Sequence, residues 1–415
     1  MNEKNKITKI LIPGLLGNVI ESYDFALFGY FVSKISILFF STKNEFASIL
    51  LTYSVFAIGI FFRPLGGIIF GYIGDKYGRK TSLTFSIFLM AISTCGIGLL
   101  PTYEQIGIFS SILLTLCRIL QGIAIGGEFT CSIVYIIEHG SKHNKGLYGS
   151  LTIVSAFIGI FLGSVVSFII NLIFTGSEYA DIAWRIPFIL GTFLVIVGLY
   201  FRKNMPETPE FKKKIHNATT IDNNIPRKLK TNIPRILHVA VISFVPVMSL
   251  NLIFIYLITY LEKYLFISPI HASLINFINI LLVIIFIPLF GYISDFIERK
   301  ILMVIGLIGF IILSYPLFLI ISRGNLLSIM FAQGCFAILI SLVFCSLPTL
   351  LFESFDSEIR CTAISFAYNI ANSIVGGTAP LISTILIHHF GITAPSIYLV
   401  VLSLLSIPLI ITHKS

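Results

Sequence analysis

Twelve long apolar runs, separated by short polar turns, leave this chain little choice of fold. About 20 apolar residues cross a bilayer as helix, and inside hydrocarbon every backbone polar group must be satisfied within a helix or a closed barrel. A spanning barrel would show alternating strands of about 10 residues, and no such alternation runs through this sequence. The runs therefore predict an all-α membrane protein with transmembrane helices at 11–33, 47–73, 82–100, 106–137, 147–173, 184–201, 236–261, 270–293, 301–321, 325–351, 362–386 and 393–412. Only 11% of residues are charged, against about 25% in a soluble domain.

The decapeptide GYIGDKYGRK at Gly71–Lys80 returns as GYISDFIERK at Gly291–Lys300, with Gly, Tyr, Ile, Asp, Arg and Lys kept at matching offsets. Each copy ends one apolar run and precedes another. A charged turn repeated once per half-chain predicts two related six-helix halves in tandem, the signature of a transporter. The expected division is 1–201, a polar linker at 202–235, and 236–415. With both termini inside, 21 of the 28 Lys/Arg fall on inner segments and 5 on outer ones, leaving Arg63 and Arg118 within spans. That bias predicts cytoplasmic termini in the cell (inner) membrane.

The net charge of +9 is accounted for by this orientation, with nine Lys/Arg in Arg202–Arg235, so nucleic acid is not an expected partner. Lys4, Lys6 and Lys9 precede a run that contains Glu21 and Asp24 and lacks a cleavage site, so it is expected to remain as helix one. Six cysteines without a CxxC pair read as small buried apolar residues. His139 and His143 straddle Gly140 in a turn and make no metal site. The Asn217–Thr219 glycosylation triplet falls on the inner side. Gly74–Thr81 has the wrong glycine spacing for a phosphate-binding loop. No cofactor, metal or catalytic set is expected; the chain reads as a non-enzyme working as a monomer on a small molecule and protons in the lipid bilayer.

A charge within a span costs about 2.5–3.5 kcal/mol or more and is kept for a partner or a job. Glu21 and Asp24 lie three apart on helix one, and Asp24 is ~20 Å along it at 1.5 Å per residue. Arg118, ~18 Å along helix four, has nearly the same depth, with Gln121 beside it. The expectation is an Arg flanked by two carboxylates: Glu21 and Asp24 couple protons, while Arg118, Gln121 and Tyr23 meet the solute. From the second half, Asn251, Tyr256 and Tyr260 are expected to add polar and cation–π contacts. Arg63 and Glu128 are expected to pair near the inner side. With Gly71, Asp75, Gly78, Arg79, Asp295 and Arg299 of the repeated turns, they form the expected gate. One buried cation among carboxylates and aromatics suits a zwitterion better than a dicarboxylate such as 2-oxoglutarate, which stays as the alternative.

The stretches GNVIESYDFALFG (17–29), RPLGGIIFGYIGDKYGRK (63–80), RILQGIAIGGEF (118–129), WRIPF (184–188), ETPEF (207–211), ESFDSEIR (353–360) and YNIANSIVGG (368–377) resemble the metabolite:proton symporter family of the major facilitator superfamily over nearly the whole chain. The resemblance implies proton-driven uptake by alternating access. Residues 92–114 and the ETPEF junction are most similar to members that carry proline and glycine betaine. It places the acidic pair at Glu21 and Asp24, the cavity cation at Arg118 and the loop motif at Gly71, Asp75, Gly78 and Arg79. Departures are Ser22 where an aromatic is usual, and Phe296 and Glu298 in the second loop copy, which imply a weaker second gate.

Overall fold

The structure is a computed structural model that describes residues 3–40, 44–141, 143–174, 180–203, 205–216 and 225–413. Lys43, Lys142 and Lys414 of the charge count, and the Asn217–Thr219 triplet, lie outside these residues. Among the described residues there is no strand, and twelve helices are long and apolar enough to span a membrane. They are α1 Lys9–Tyr30, α2 Phe46–Tyr77, α3 Arg79–Leu99, α4 Ile108–His139, α5 Lys145–Phe174, α6 Arg185–Lys203, α7 Phe244–Tyr264, α8 Pro269–Ile293, α9 Arg299–Ser322, α10 Leu326–Glu353, α11 Arg360–Phe390 and α12 Pro395–Thr412.

The apolar run at 236–261 departs from expectation. It divides into a short helix, Ile233–Ile242, and α7. Pro246 has no amide to offer the carbonyl of Ile242, so the ladder breaks there and the chain turns at Ser243. Arg202, expected in the linker, is instead buried in the last turn of α6.

Within the first six spans, α1 packs on α5, and α3 packs on α4 and α6; within the last six, α8 packs on α10 and α9 on α10 and α12. The two sets meet along α5 against α8 and α2 against α11. α7 and α10 are the most enclosed spans and α6 the least. Outward-facing Phe61, Phe193, Tyr200 and Ile285 supply a surface suited to lipid.

Small residues make these approaches possible, because helices in lipid gain their contact from close backbone packing. Where α2 crosses α4, a Cβ on Gly122 would collide with the carbonyl of Gly59, and one on Gly66 with that of Ile123. Backbone cannot swing aside as a side chain can. Gly122→Ala is therefore expected to cost about 1–3 kcal/mol by overpacking, read as a lower melting temperature in detergent. An unchanged melting curve would mean the crossing has slack.

Candidate functional site

Residues from α1, α2, α4 and α5 on one side and α7, α10 and α11 on the other enclose a central cavity of about 50 Å³. Its polar lining is Glu21, Ser22, Arg63, Asn251, Tyr368 and Asn372. That volume holds a few waters. Contacts between the two sets of spans lie at both ends of the cavity. Tyr53 donates to Thr259 at 2.8 Å and Ser33 to Glu262 at 3.0 Å on one side; the repeated turns close the other.

Arg63 is the hub of the cavity. Its Nη2 lies 3.4 Å from Glu21 Oε1, and its Nε donates to Asn369 Oδ1 at 3.1 Å. It thus ties α1 to α11 through side chains that are almost fully buried. Two acceptors around it, Glu21 Oε2 and Asn251 Oδ1, are buried with no hydrogen-bond partner among the described residues. Buried polar atoms are rarely left so without a reason.

Asn251 and Asn372 each open a π-helical turn, Asn251–Tyr256 and Asn372–Gly376. Each side-chain amide donates to the carbonyl four residues back, Val247 at 2.9 Å and Tyr368 at 3.0 Å. Such side-chain competition for the helix carbonyl loosens the local ladder, and π turns cluster at functional sites.

Asp24 belongs to a separate network. Thr94 donates to Asp24 Oδ2 at 2.8 Å, Gln121 donates to the same oxygen, and Arg118 donates to Gln121 Oε1. Arg118 is caged by the rings of Phe28, Phe56 and Phe25, the nearest centroid 4.3 Å away. Each ring face offers the guanidinium cation–π attraction.

Several expectations are corrected by this geometry. Glu21 and Asp24 do not flank Arg118 together, because a three-residue step turns their side chains about 60° apart. α1 is wedged so that one meets α2 and the other meets α3 and α4. Arg118 and Gln121 do not line the cavity in this conformation. Nor do Tyr23, Tyr256 and Tyr260, whose hydroxyls are engaged elsewhere. Tyr23 donates to Pro187 O at 2.9 Å and Tyr260 to Ile392 O at 3.0 Å, while Tyr256 accepts from Thr384 at 3.1 Å.

Arg63 does not pair with Glu128. Glu128 forms a two-pronged pair with Arg202 and accepts from Ser86 at 2.6 Å. The bare backbone of Gly17 leaves room for that pair, since a Cβ there would strike both partners. Asn369, Asn372 and Thr94 were missed as site residues. The signal lay in YNIANSIVGG, where two amides three apart sit inside an apolar span.

The two turns make reciprocal caps on the face where α1 begins and α12 ends, here the terminal face. Asp75 ends α2 and accepts from the Thr362 amide at 2.9 Å, the Thr362 hydroxyl at 2.7 Å and the Cys361 amide at 3.3 Å. It thereby caps α11 of the opposite set. Asp295, after α8, accepts from the amides of Gly146 at 2.7 Å and Leu147 at 3.1 Å, and so caps α5. A carboxylate at a helix N-terminus satisfies free amides and meets the positive end of the macrodipole.

Gly71 allows the approach: a Cβ there would lie 2.7 Å from Thr362 Cα. Gly78, at φ +103°, makes the turn into α3, whose first amides donate to Glu207 of the ETPEF segment at 3.1 and 3.2 Å. Arg79 is buried and reaches Gly74 O at 2.9 Å and Glu138 at 3.3 Å. Its counterpart Arg299 meets Glu353, which Lys145 shares at 3.2 Å, with about a quarter of its side chain exposed. The second copy keeps its cap despite Phe296 and Glu298; what it loses is the burial of its arginine.

A helical membrane fold with a shared, enclosed polar cavity and reciprocal caps defines a solute transporter of the alternating type. The chain belongs to the major facilitator superfamily of transporters. Residues 10–225 match the family described as Sugar (and other) transporter, and residues 239–414 match Major Facilitator Superfamily.

A Staphylococcus aureus protein whose designation as a proline/betaine transporter is provisional is 34% identical over 98% of this chain and 88% of its own length. The proline/betaine transporter of Escherichia coli is 29% identical over 99% of this chain and 84% of its own length. Among solved structures, the proton:xylose symporter bound to 6-bromo-6-deoxy-D-glucose superposes with a TM-score of 0.80 at 21% identity, covering 98% of this chain and 95% of that one. That last likeness speaks to the fold.

Proposed function

We propose that the protein is a proton-coupled symporter of a small zwitterionic solute, proline or glycine betaine. It works as a monomer in the cell (inner) membrane, with the terminal face cytoplasmic. Residues 1–201 and 236–415 would act as two rocking six-helix bodies joined by the segment 202–235. The names of the relatives support the solute class. The observation that carries the reading is the charge balance of the cavity, where one guanidinium faces one carboxylate between spans of both sets.

A zwitterion can exchange into that pair without leaving a net buried charge. Its carboxylate takes Arg63 and its cationic end takes Glu21 or an aromatic face. A dicarboxylate would need a second unpaired cation, and Arg118 is already engaged with Gln121 and three rings. A proton on Glu21 would release Arg63 to the solute, and a proton on Asp24 would loosen the Gln121–Arg118 relay. Neither carboxylate need leave the membrane interior.

One proton carried with a zwitterion moves one net charge inward. At 100 mV that supplies about 2.3 kcal/mol, or about 50-fold accumulation before any pH gradient. Proteoliposomes given labelled glycine betaine, proline or 2-oxoglutarate are expected to accumulate the first two, with inward current and full collapse on adding a protonophore. Preference for 2-oxoglutarate would overturn the solute class, and indifference to the protonophore would overturn the coupling.

A further inference from the structure

Cys131 of α4 and Cys361 in the first turn of α11 meet across the interface between the two sets of spans. A Cβ on Gly74 would lie 3.4 Å from Cys131 Sγ and 3.6 Å from Cys361 Sγ, so both sulfurs close on one glycine. Cys131 Sγ also lies 3.7 Å from the Ser82 hydroxyl, so the two thiols share one small pocket beside Gly74. The pair sits in the middle of the terminal-face closure. The Cys361 amide donates to Asp75, and the hydroxyl of Thr130, next to Cys131, bonds to that of Ser365, one turn beyond Cys361. The rings of Phe129 and Tyr368 lie 4.9 Å apart just beyond. Neither thiol has a part in solute or proton binding.

We propose that Cys131 and Cys361 form a redox latch: two-electron oxidation joins them in a disulfide that holds the terminal face closed and stops transport. Hydrogen peroxide supplies the balance. One thiolate, its proton released to solvent, attacks peroxide and breaks the O–O bond, giving a sulfenic acid and hydroxide, which takes up a proton to become water. The second sulfur attacks the sulfenic sulfur, the S–S bond forms, and hydroxide leaves with the second thiol's proton as water. Two thiols are oxidised and one peroxide becomes two waters. A dithiol reverses the bond by exchange.

Both thiols are fully enclosed in this conformation, so peroxide reaches them when the terminal face opens, and the bond closes when the faces return. Oxidation is thereby tied to cycling. Disulfides on the reducing side of a membrane are characteristically transient and sensory, and two sulfurs that close on the same glycine start near each other before any helix moves.

The test uses the full chain in membranes, with a protease site inserted between residues 217 and 224. After peroxide, quenching with N-ethylmaleimide and cleavage, the fragments are expected to remain joined on a non-reducing gel and to separate after dithiothreitol. Cys131→Ser and Cys361→Ser are expected to separate under all conditions, while a variant with the other four cysteines changed to Ser stays joined. Uptake should fall to background on oxidation and recover with dithiothreitol in the wild type, and persist through oxidation in Cys131→Ser. Separation of the oxidised wild type, or a joined Cys131→Ser, would overturn the latch. The gel reads the bond whatever the solute, so a wrong solute assignment leaves this result standing. Cys131→Ala, tested beside Cys131→Ser, guards against a variant that merely misfolds.

Discussion

Glu21→Gln is expected to abolish uphill accumulation, removing the factor of about 50 that a 100 mV potential would otherwise sustain, while solute exchange across the membrane continues. Glutamine keeps a hydrogen-bond acceptor for Arg63 but cannot take up or release a proton. The buried guanidinium would then lack its counter-charge, and breaking a buried pair from one side costs about 3–5 kcal/mol, so melting in detergent should fall as well. Two readouts separate the roles. Adding Arg63→Gln removes the orphaned charge and should restore melting, which reports the pair's structural share. Coupling is read in Glu21→Gln itself, where Arg63 still holds the solute: exchange without accumulation marks lost proton coupling, and equal loss of both marks a merely structural role. Accumulation by Glu21→Gln at the wild-type level would remove Glu21 from the coupling scheme.

Asp75→Asn is expected to open the terminal face. The native carboxylate accepts from two amides and a hydroxyl at the start of α11 and lies 3.7 Å from buried Arg79. An uncharged amide keeps one acceptor and places NH2 where an acceptor stood. A partly buried helix-terminal charge is worth up to about 2 kcal/mol, and that loss shifts an open–closed equilibrium by about 30-fold. The readout is maleimide labelling of Cys361, which should quicken by a similar factor, with slower uptake at saturating solute. Asp295→Asn should act the same way but more weakly, because Arg299 and Glu353 are partly solvated. Labelling of Asp75→Asn at the wild-type rate would mean that this cap does not hold the closure.

Much of the scaffold is legible without coordinates because membrane folding is governed by local rules. A run of apolar residues long enough to cross must be a helix, whatever surrounds it. Span boundaries were blurred where polar termini belong to the helix, as at Tyr77 and Arg360, and where Pro246 interrupts the seventh run. The buried charges were also visible, since Glu21, Asp24, Arg63, Arg118 and Glu128 stand out against hydrocarbon. Their partners were not visible. Depth along two helices placed Arg118 level with Asp24, yet depth says nothing about rotation. Gln121 stands between the two, while Glu21 turns to Arg63. The Glu128–Arg202 pair was hidden because Arg202 falls at the edge of a basic polar stretch.

Hydropathy, backbone satisfaction and the cost of burying charge act along the chain, so the twelve helical spans, the repeated turns and the charges that must be accommodated are written in the residue order. Which charges meet, that Asp75 and Asp295 cap helices of the opposite set, and that Cys131 and Cys361 both close on Gly74 emerge from the packing. Those outcomes depend on how helices rotate and cross, and the glycines at 17, 71, 74 and 122 set that geometry through space that no linear spacing encodes.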